Sequence, residues 1–158
     1  MFLKRRYFII CFLILLMFSC NKKTEYGSEI ETILEQIRSL SEYSKCENEA
    51  VMTSASSIEA SKCVTINGIK FKFVEKESTG VSFVSTKDKK FRTPEGYYVG
   101  TKRLDILQND IVQIQTERGY GHFIALKSGW KLGFCEGGSC TSSDLKDTSE
   151  VKWIMVRK

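Results

Sequence analysis

The residues best able to do chemistry in this 158-residue chain are its six cysteines and one histidine. Cys46, Cys63, Cys135 and Cys140 lie in the body of the chain, an even number with no two-residue spacing. In an oxidising compartment four such thiols form two disulfides, and four cysteines allow three connectivities. Local pairing, Cys46–Cys63 and Cys135–Cys140, is expected, contributing about 3 and about 2 kcal/mol by loop entropy. The alternative is a four-thiolate zinc site, but both spacings depart from the tight knuckle such sites use. No metal and no cofactor is therefore expected.

His122 stands beside a glycine turn at the start of an expected strand. A general base must reach a nucleophile or a substrate proton, and no nucleophile elbow accompanies it. Its expected role is that of an exposed or hydrogen-bonded sheet residue. No carboxylate pair marks a glycosidase, and Gly96 and Gly100 lack the lysine of a phosphate-binding loop. These absences point away from an enzyme.

Cys20 has a different context. Lys4, Arg5 and Arg6 precede a 12-residue apolar run from Tyr7 to Phe18, followed by Ser19 and Cys20. That is the layout of an export signal, and the run is well short of the ~20 residues that span a bilayer. A cysteine directly after the small residue resembles a bacterial lipoprotein signal, which makes Cys20 the lipid-bearing N-terminus. The expected organisation is a signal peptide over 1–19, a tethered segment over 20–27 and a single domain over 28–158. The signal carries three basic residues and no acid, so a chain starting at Cys20 has 21 basic against 19 acidic residues, net +2 rather than +5. Such a balanced, exported chain is not a nucleic-acid binder. The expected location is the cell envelope, at the outer membrane or a periplasmic membrane face.

The elements that must carry these residues fall into two regimes. Ser28 and Glu31 form a capping box, and Ile30, Ile33, Leu34, Ile37 and Leu40 then recur at helical spacing. Residues 46–63 suggest a short second helix through Ala50, Val51, Ala55, Ile58 and Ala60. From Val64 the period becomes two: Ile69, Phe71 and Phe73 alternate with Lys70 and Lys72. Further strands are expected around Val81–Phe83, 112–116, 123–126, 130–134 and 151–156, and a short helix over Lys102–Gln108 capped by Thr101. Lys87, Lys89, Lys90 and Arg92 cluster in one loop, expected to be solvated, with anionic headgroups as the sharper alternative. The expected fold class is α+β: one or two N-terminal helices packed on a small antiparallel meander.

The string Phe91-x-Thr93-x-x-Gly96-x-x-Val99-Gly100, followed by a short helix and paired strands, resembles small envelope lipoproteins of the BamE-like kind over residues 91–134. That resemblance implies helices on one face of a small antiparallel sheet, and a role as a binding or assembly module. The expected function is thus a non-enzymatic, membrane-anchored protein-interaction module with an unidentified envelope protein as partner. Tyr97, Tyr98 and Tyr120 are its candidate interaction surface, since amphipathic aromatics suit interface hot spots; Trp130 and Trp153 are expected in the core. The alternatives are a ligand-binding lipoprotein with a pocket between sheet and helix, or a small envelope enzyme inhibitor or hydrolase.

Overall fold

The computed structural model describes residues 28–39, 50–109 and 113–158. The signal segment with Cys20, the tether, Leu40, Cys46 and the start of the 112–116 strand lie outside the described residues.

Helix α1 (Ser28–Ser39) follows the apolar stripe, burying Ile30, Ile33, Leu34 and Ile37. The Ser28 side chain of the expected capping box lies outside the described residues, and the Glu31 carboxylate takes the Lys158 ammonium at 2.6 Å. That ion pair holds Glu31 below the usual carboxylate range.

Residues 50–60 correct the expectation of a second helix: they form a hairpin of β1 (Ala50–Ser54) and β2 (Ser57–Ala60). Val51, Thr53 and Ile58 are β-branched and favour extended backbone. The intervening serines offer the chain local hydrogen bonds that compete with a helix, and the Ser56 amide donates to Ser54 Oγ. The Thr53 hydroxyl crosses to Glu59 at 2.6 Å.

Seven further strands build one antiparallel sheet: β3 (Lys62–Ile66), β4 (Ile69–Lys76), β5 (Gly80–Thr86), β6 (Ile114–Glu117), β7 (Gly121–Ala125), β8 (Lys131–Phe134) and β9 (Trp153–Arg157). The spatial order is β3-β4-β5-β9-β8-β7-β6. Two meanders therefore meet along β5 and the C-terminal strand, which pair from Phe83↔Arg157 to Thr86↔Ile154. The α+β expectation, including the one implied by the BamE-like resemblance, is corrected by this architecture. The fold is mostly β, with two short helices among the described residues, one of them late in the chain. The physical reason is that hairpin turns and period-two patterning run through most of residues 50–157, leaving α1 alone at the N-terminal side.

Strand alternation gives the sheet two apolar faces. Phe71, Phe73, Ile124, Leu132, Phe134 and Ile154 face α1 in the larger core. Val74, Phe83, Phe123, Met155 and Tyr120 form a smaller cluster on the other face, beside the β1–β2 hairpin. A bulge decides how β5 contributes. Val74 opposes Phe83 but Glu75 opposes Val81, so Ser82 is the extra residue. Val81 then packs in the larger core and Phe83 in the smaller one.

The Phe91–Gly100 string lies along the larger core. Phe91 bridges Phe71 and Trp130 through edge-on ring contacts at 5.5 and 5.0 Å. Gly96 donates to the Thr93 carbonyl at 2.7 Å, with Pro94 second in the turn. The positive φ falls on Gly96, the fourth position, rather than on Glu95, so the turn is type I and not type II. Helix α2 (Arg103–Asn109) starts without the expected Thr101 cap. The Thr101 hydroxyl accepts from the Tyr98 amide, while the first helical amides, Arg103 and Leu104, donate to the carbonyls of Ser149 and Asp147.

Candidate functional site

The smaller apolar face is incompletely covered. Between the β1–β2 hairpin and the sheet lies a cleft of about 360 Å³. Its apolar wall comes from Val51 and Met52 of the hairpin and from Phe83, Tyr120 and Trp153 of the sheet side. Its rim carries Lys70, Lys72 and Lys87, with Ser85 and Thr86 between them and no carboxylate among the described lining residues.

Each group is placed by local structure. Lys70 and Lys72 are two residues apart on β4, so both project to the face opposite Phe71 and Phe73. Ser85 opposes Lys72 across the β4–β5 ladder. The Thr86 hydroxyl donates to the Lys70 carbonyl at 2.8 Å, fixing the end of β5 where Lys87 leaves the sheet. The nearby Asp88 carboxylate accepts the Lys90 amide at 2.9 Å and, more weakly, that of Lys70. Those amides hold Asp88 below the usual carboxylate range. Lys62 and Lys76, by contrast, pair with Glu75 and Glu59. Among the described residues neither Lys70 nor Lys87 makes an ion pair.

Trp153 owes its position to two missing side chains. Gly133 opposes it across the β8–β9 ladder, and a Cβ there would meet the indole at 2.3 Å. A Cβ at Gly121 would meet it at 2.9 Å. The indole thus lies flat over two strands, against Phe123 (5.8 Å) and Tyr120 (6.0 Å). The Tyr120 hydroxyl donates to Met155 Sδ at 3.3 Å, and burial raises its pKa above that of a free phenol. The Arg157 guanidinium stands 5.7 Å from the Tyr120 ring and is held by Glu117 at 3.2 and 3.3 Å. The Cys135–Cys140 disulfide closes the tip after β8 and brings Cys140 to the cleft wall. The Thr141 hydroxyl, accepting the Gly119 amide at 2.9 Å, ties that tip to the β6–β7 turn.

The expected site residues are distributed over both faces. Cys135 pairs with Cys140. Cys63 is also disulfide-bonded, and its expected partner Cys46 lies outside the described residues. Tyr97 is buried in the larger core and Tyr120 in the smaller one. Tyr98 is 39% exposed, with the Arg92 guanidinium stacked 3.9 Å from its ring centre. The three tyrosines therefore share no surface, and only Tyr120 reaches the cleft. Trp130 is fully buried, whereas Trp153 is half-buried in the cleft wall. The core expectation for Trp153 is thereby corrected; its place in the cleft wall depends on Gly121 and Gly133 beneath it, and a glycine inside a strand marks such a close approach.

His122 is buried and fully engaged. Its Nδ1 lies 2.8 Å from the Thr116 hydroxyl and its Nε2 3.3 Å from the Ser143 carbonyl. A carbonyl can only accept, so Nε2 carries a proton and donates to Ser143, while Nδ1 is paired with the Thr116 hydroxyl. Neither nitrogen faces an open position.

A second groove, also of about 360 Å³, runs between α1 and the sheet, past Thr32, Gln36, Ile69 and Phe91. Beside α1, the Glu29 carboxyl lies near the Trp130 indole N–H without reaching hydrogen-bond geometry. Burial raises the Glu29 pKa; the indole opposes that rise and the Glu95 charge adds to it. Glu95 itself accepts from the Ser128 amide at 2.8 Å and its hydroxyl at 3.0 Å. This cluster ties the Pro94 turn to the β7–β8 turn, and Glu29 lines the second groove. Among the described residues no group of histidine, cysteine and acidic side chains is arranged to hold a metal ion. No helix among them is long and apolar enough to cross a membrane.

The chain matches no protein-family model and no curated protein sequence. Among solved structures it is similar to the crystal structure of the uncharacterized protein yfeY from Escherichia coli, at 18% identity and a TM-score of 0.38 over 62% of this chain and 80% of that one.

Proposed function

We propose that this chain is a lipid-tethered, non-enzymatic binding module of the bacterial envelope, and that the cleft under the β1–β2 hairpin is its binding face. The tether rests on the basic–apolar–Ser19–Cys20 layout. The binding role rests on one observation: an apolar cleft with three lysines on its rim and no carboxylate among its described lining residues. Ligand pockets are concave, mostly apolar and carry a few convergent polar groups, and this cleft has that composition. The assembly role implied by the BamE-like resemblance draws on three exposed apolar side chains among the described residues, Ile58 at 69%, Leu104 at 42% and Tyr98 at 39%.

Native mass spectrometry of the full chain, extracted in native nanodiscs, tests both halves of the proposal. The expected chain begins at Cys20 with added acyl mass. It carries a small-molecule adduct that the cleft-filling variant Val51→Trp lacks. A chain beginning at Met1 would overturn the tether, and an adduct untouched by Val51→Trp would overturn the cleft.

A further inference from the structure

The wall and the rim of the cleft differ in chemistry, and that difference defines an occupant. Met52, Phe83 and Trp153 offer it hydrocarbon and ring surface. Its volume of about 360 Å³ sits at the lower end of ligand pockets, about 300–1,000 Å³. That suits one hydrocarbon chain better than two. Ile58 lies opposite Met52 in the hairpin and is 69% exposed, so the apolar strip continues out of the cleft toward solvent. Paired residues share a face of a hairpin.

The rim selects charge. Lys70 and Lys72 sit on one face of β4, and Lys87 follows the end of β5. Long lysine stems extend an apolar wall while their ammonium groups reach outward. Asp88, whose carboxylate lies beside the Lys70 amide, is engaged by backbone amides. Ser85, across from Lys72, adds a hydroxyl donor at the same edge.

We propose that the cleft binds a monomeric single-chain anionic amphiphile, its hydrocarbon chain against Met52, Phe83 and Trp153 and its carboxylate between Lys70 and Lys87. This assignment rests on the cleft being the binding face.

The test uses the full chain in phosphatidylcholine nanodiscs, titrated with octanoate, decanoate and dodecanoate. The chain has two tryptophans, and Trp130 is fully buried on the other side of the sheet, so emission changes report Trp153. Saturable binding is expected to tighten about fourfold per added methylene, from about 0.8 kcal/mol of burial each. Lys70→Gln/Lys87→Gln, at two exposed positions, is expected to weaken decanoate binding about threefold to tenfold and leave decanol binding unchanged. Decanol binding as tightly as decanoate, with no effect of the double variant, would overturn the anion assignment and leave the cleft standing as a binding face. No saturable response to either probe would overturn both. The same emission change on replacing phosphatidylcholine with phosphatidylglycerol, without alkanoate, would assign the anion to bilayer headgroups and overturn the monomeric ligand.

Discussion

Gly133→Ala is a sharp perturbation of the cleft because the two atoms concerned cannot coexist. A Cβ on Gly133 would stand 2.3 Å from Trp153 Cε2, 2.5 Å from Nε1 and 2.7 Å from Cδ2. All three contacts are well inside the optimum of about 3.5–4.0 Å between carbon atoms. Gly133 lies within β8 and is itself buried, so its backbone has little room to retreat. The indole must therefore leave the sheet, losing its contacts with Phe123 and Tyr120. Overpacking of this kind costs about 1–3 kcal/mol. Gly138→Ala is the matched control, since a Cβ there meets nothing within 4 Å. Urea unfolding gives the energetic readout. Acrylamide quenching gives the local one, because Trp130 is shielded and only Trp153 is half-exposed. The expected result is a lower midpoint with stronger quenching for Gly133→Ala and neither change for Gly138→Ala. A Gly133→Ala protein with wild-type midpoint and quenching would refute the placement of Trp153.

Three further outcomes follow from the geometry. Cys135→Ser/Cys140→Ser opens the loop that the disulfide closes, and a loss of about 2 kcal/mol in denaturant unfolding is expected from loop entropy. Glu95→Ala strands the buried Ser128 amide and hydroxyl, with an expected loss of about 1–3 kcal/mol measured the same way. Glu29 gives a pH signature. Burial raises its folded pKa above the ordinary 4.5, so the folded chain binds this proton more tightly than the unfolded chain. Its contribution to stability grows as pH falls through the raised value and levels off below 4.5. Glu29→Gln is expected to raise the melting temperature at pH 7 and to reduce its advantage at pH 4; equal shifts at the two pH values would contradict the buried-carboxyl reading.

Local patterns carried the elements whose neighbours are near in sequence. The stripe from Ile30 to Ile37 marks α1, and the alternation from Ile69 to Phe73 marks β4, because each period directly reflects one buried face. Asn67-Gly68 went unused, although both residues have positive φ and make the type I′ turn between β3 and β4. Residues 50–60 misled because alanine spacing resembled a helix while β-branched residues and serines favoured a hairpin. The position of β9 between β5 and β8 was illegible for a different reason. It depends on pairing Val84 with Val156, 72 residues later, and no local period encodes such a choice. The cleft inherits that difficulty. Its walls come from Met52, Lys70, Phe83, Tyr120 and Trp153, which no motif spacing gathers. Tyr120 was visible as an amphipathic aromatic, but its companions needed the register.

The most direct test of the cleft as the binding face is methyl NMR of the full chain in nanodiscs, labelled at methionine and isoleucine and titrated with decanoate. Met52 lines the cleft, whereas Ile37 is fully buried in the larger core on the opposite face of the sheet. The expected result is a saturable shift of the Met52 methyl with Ile37 unmoved. A Met52 resonance that stays fixed while decanoate binds elsewhere would contradict the account.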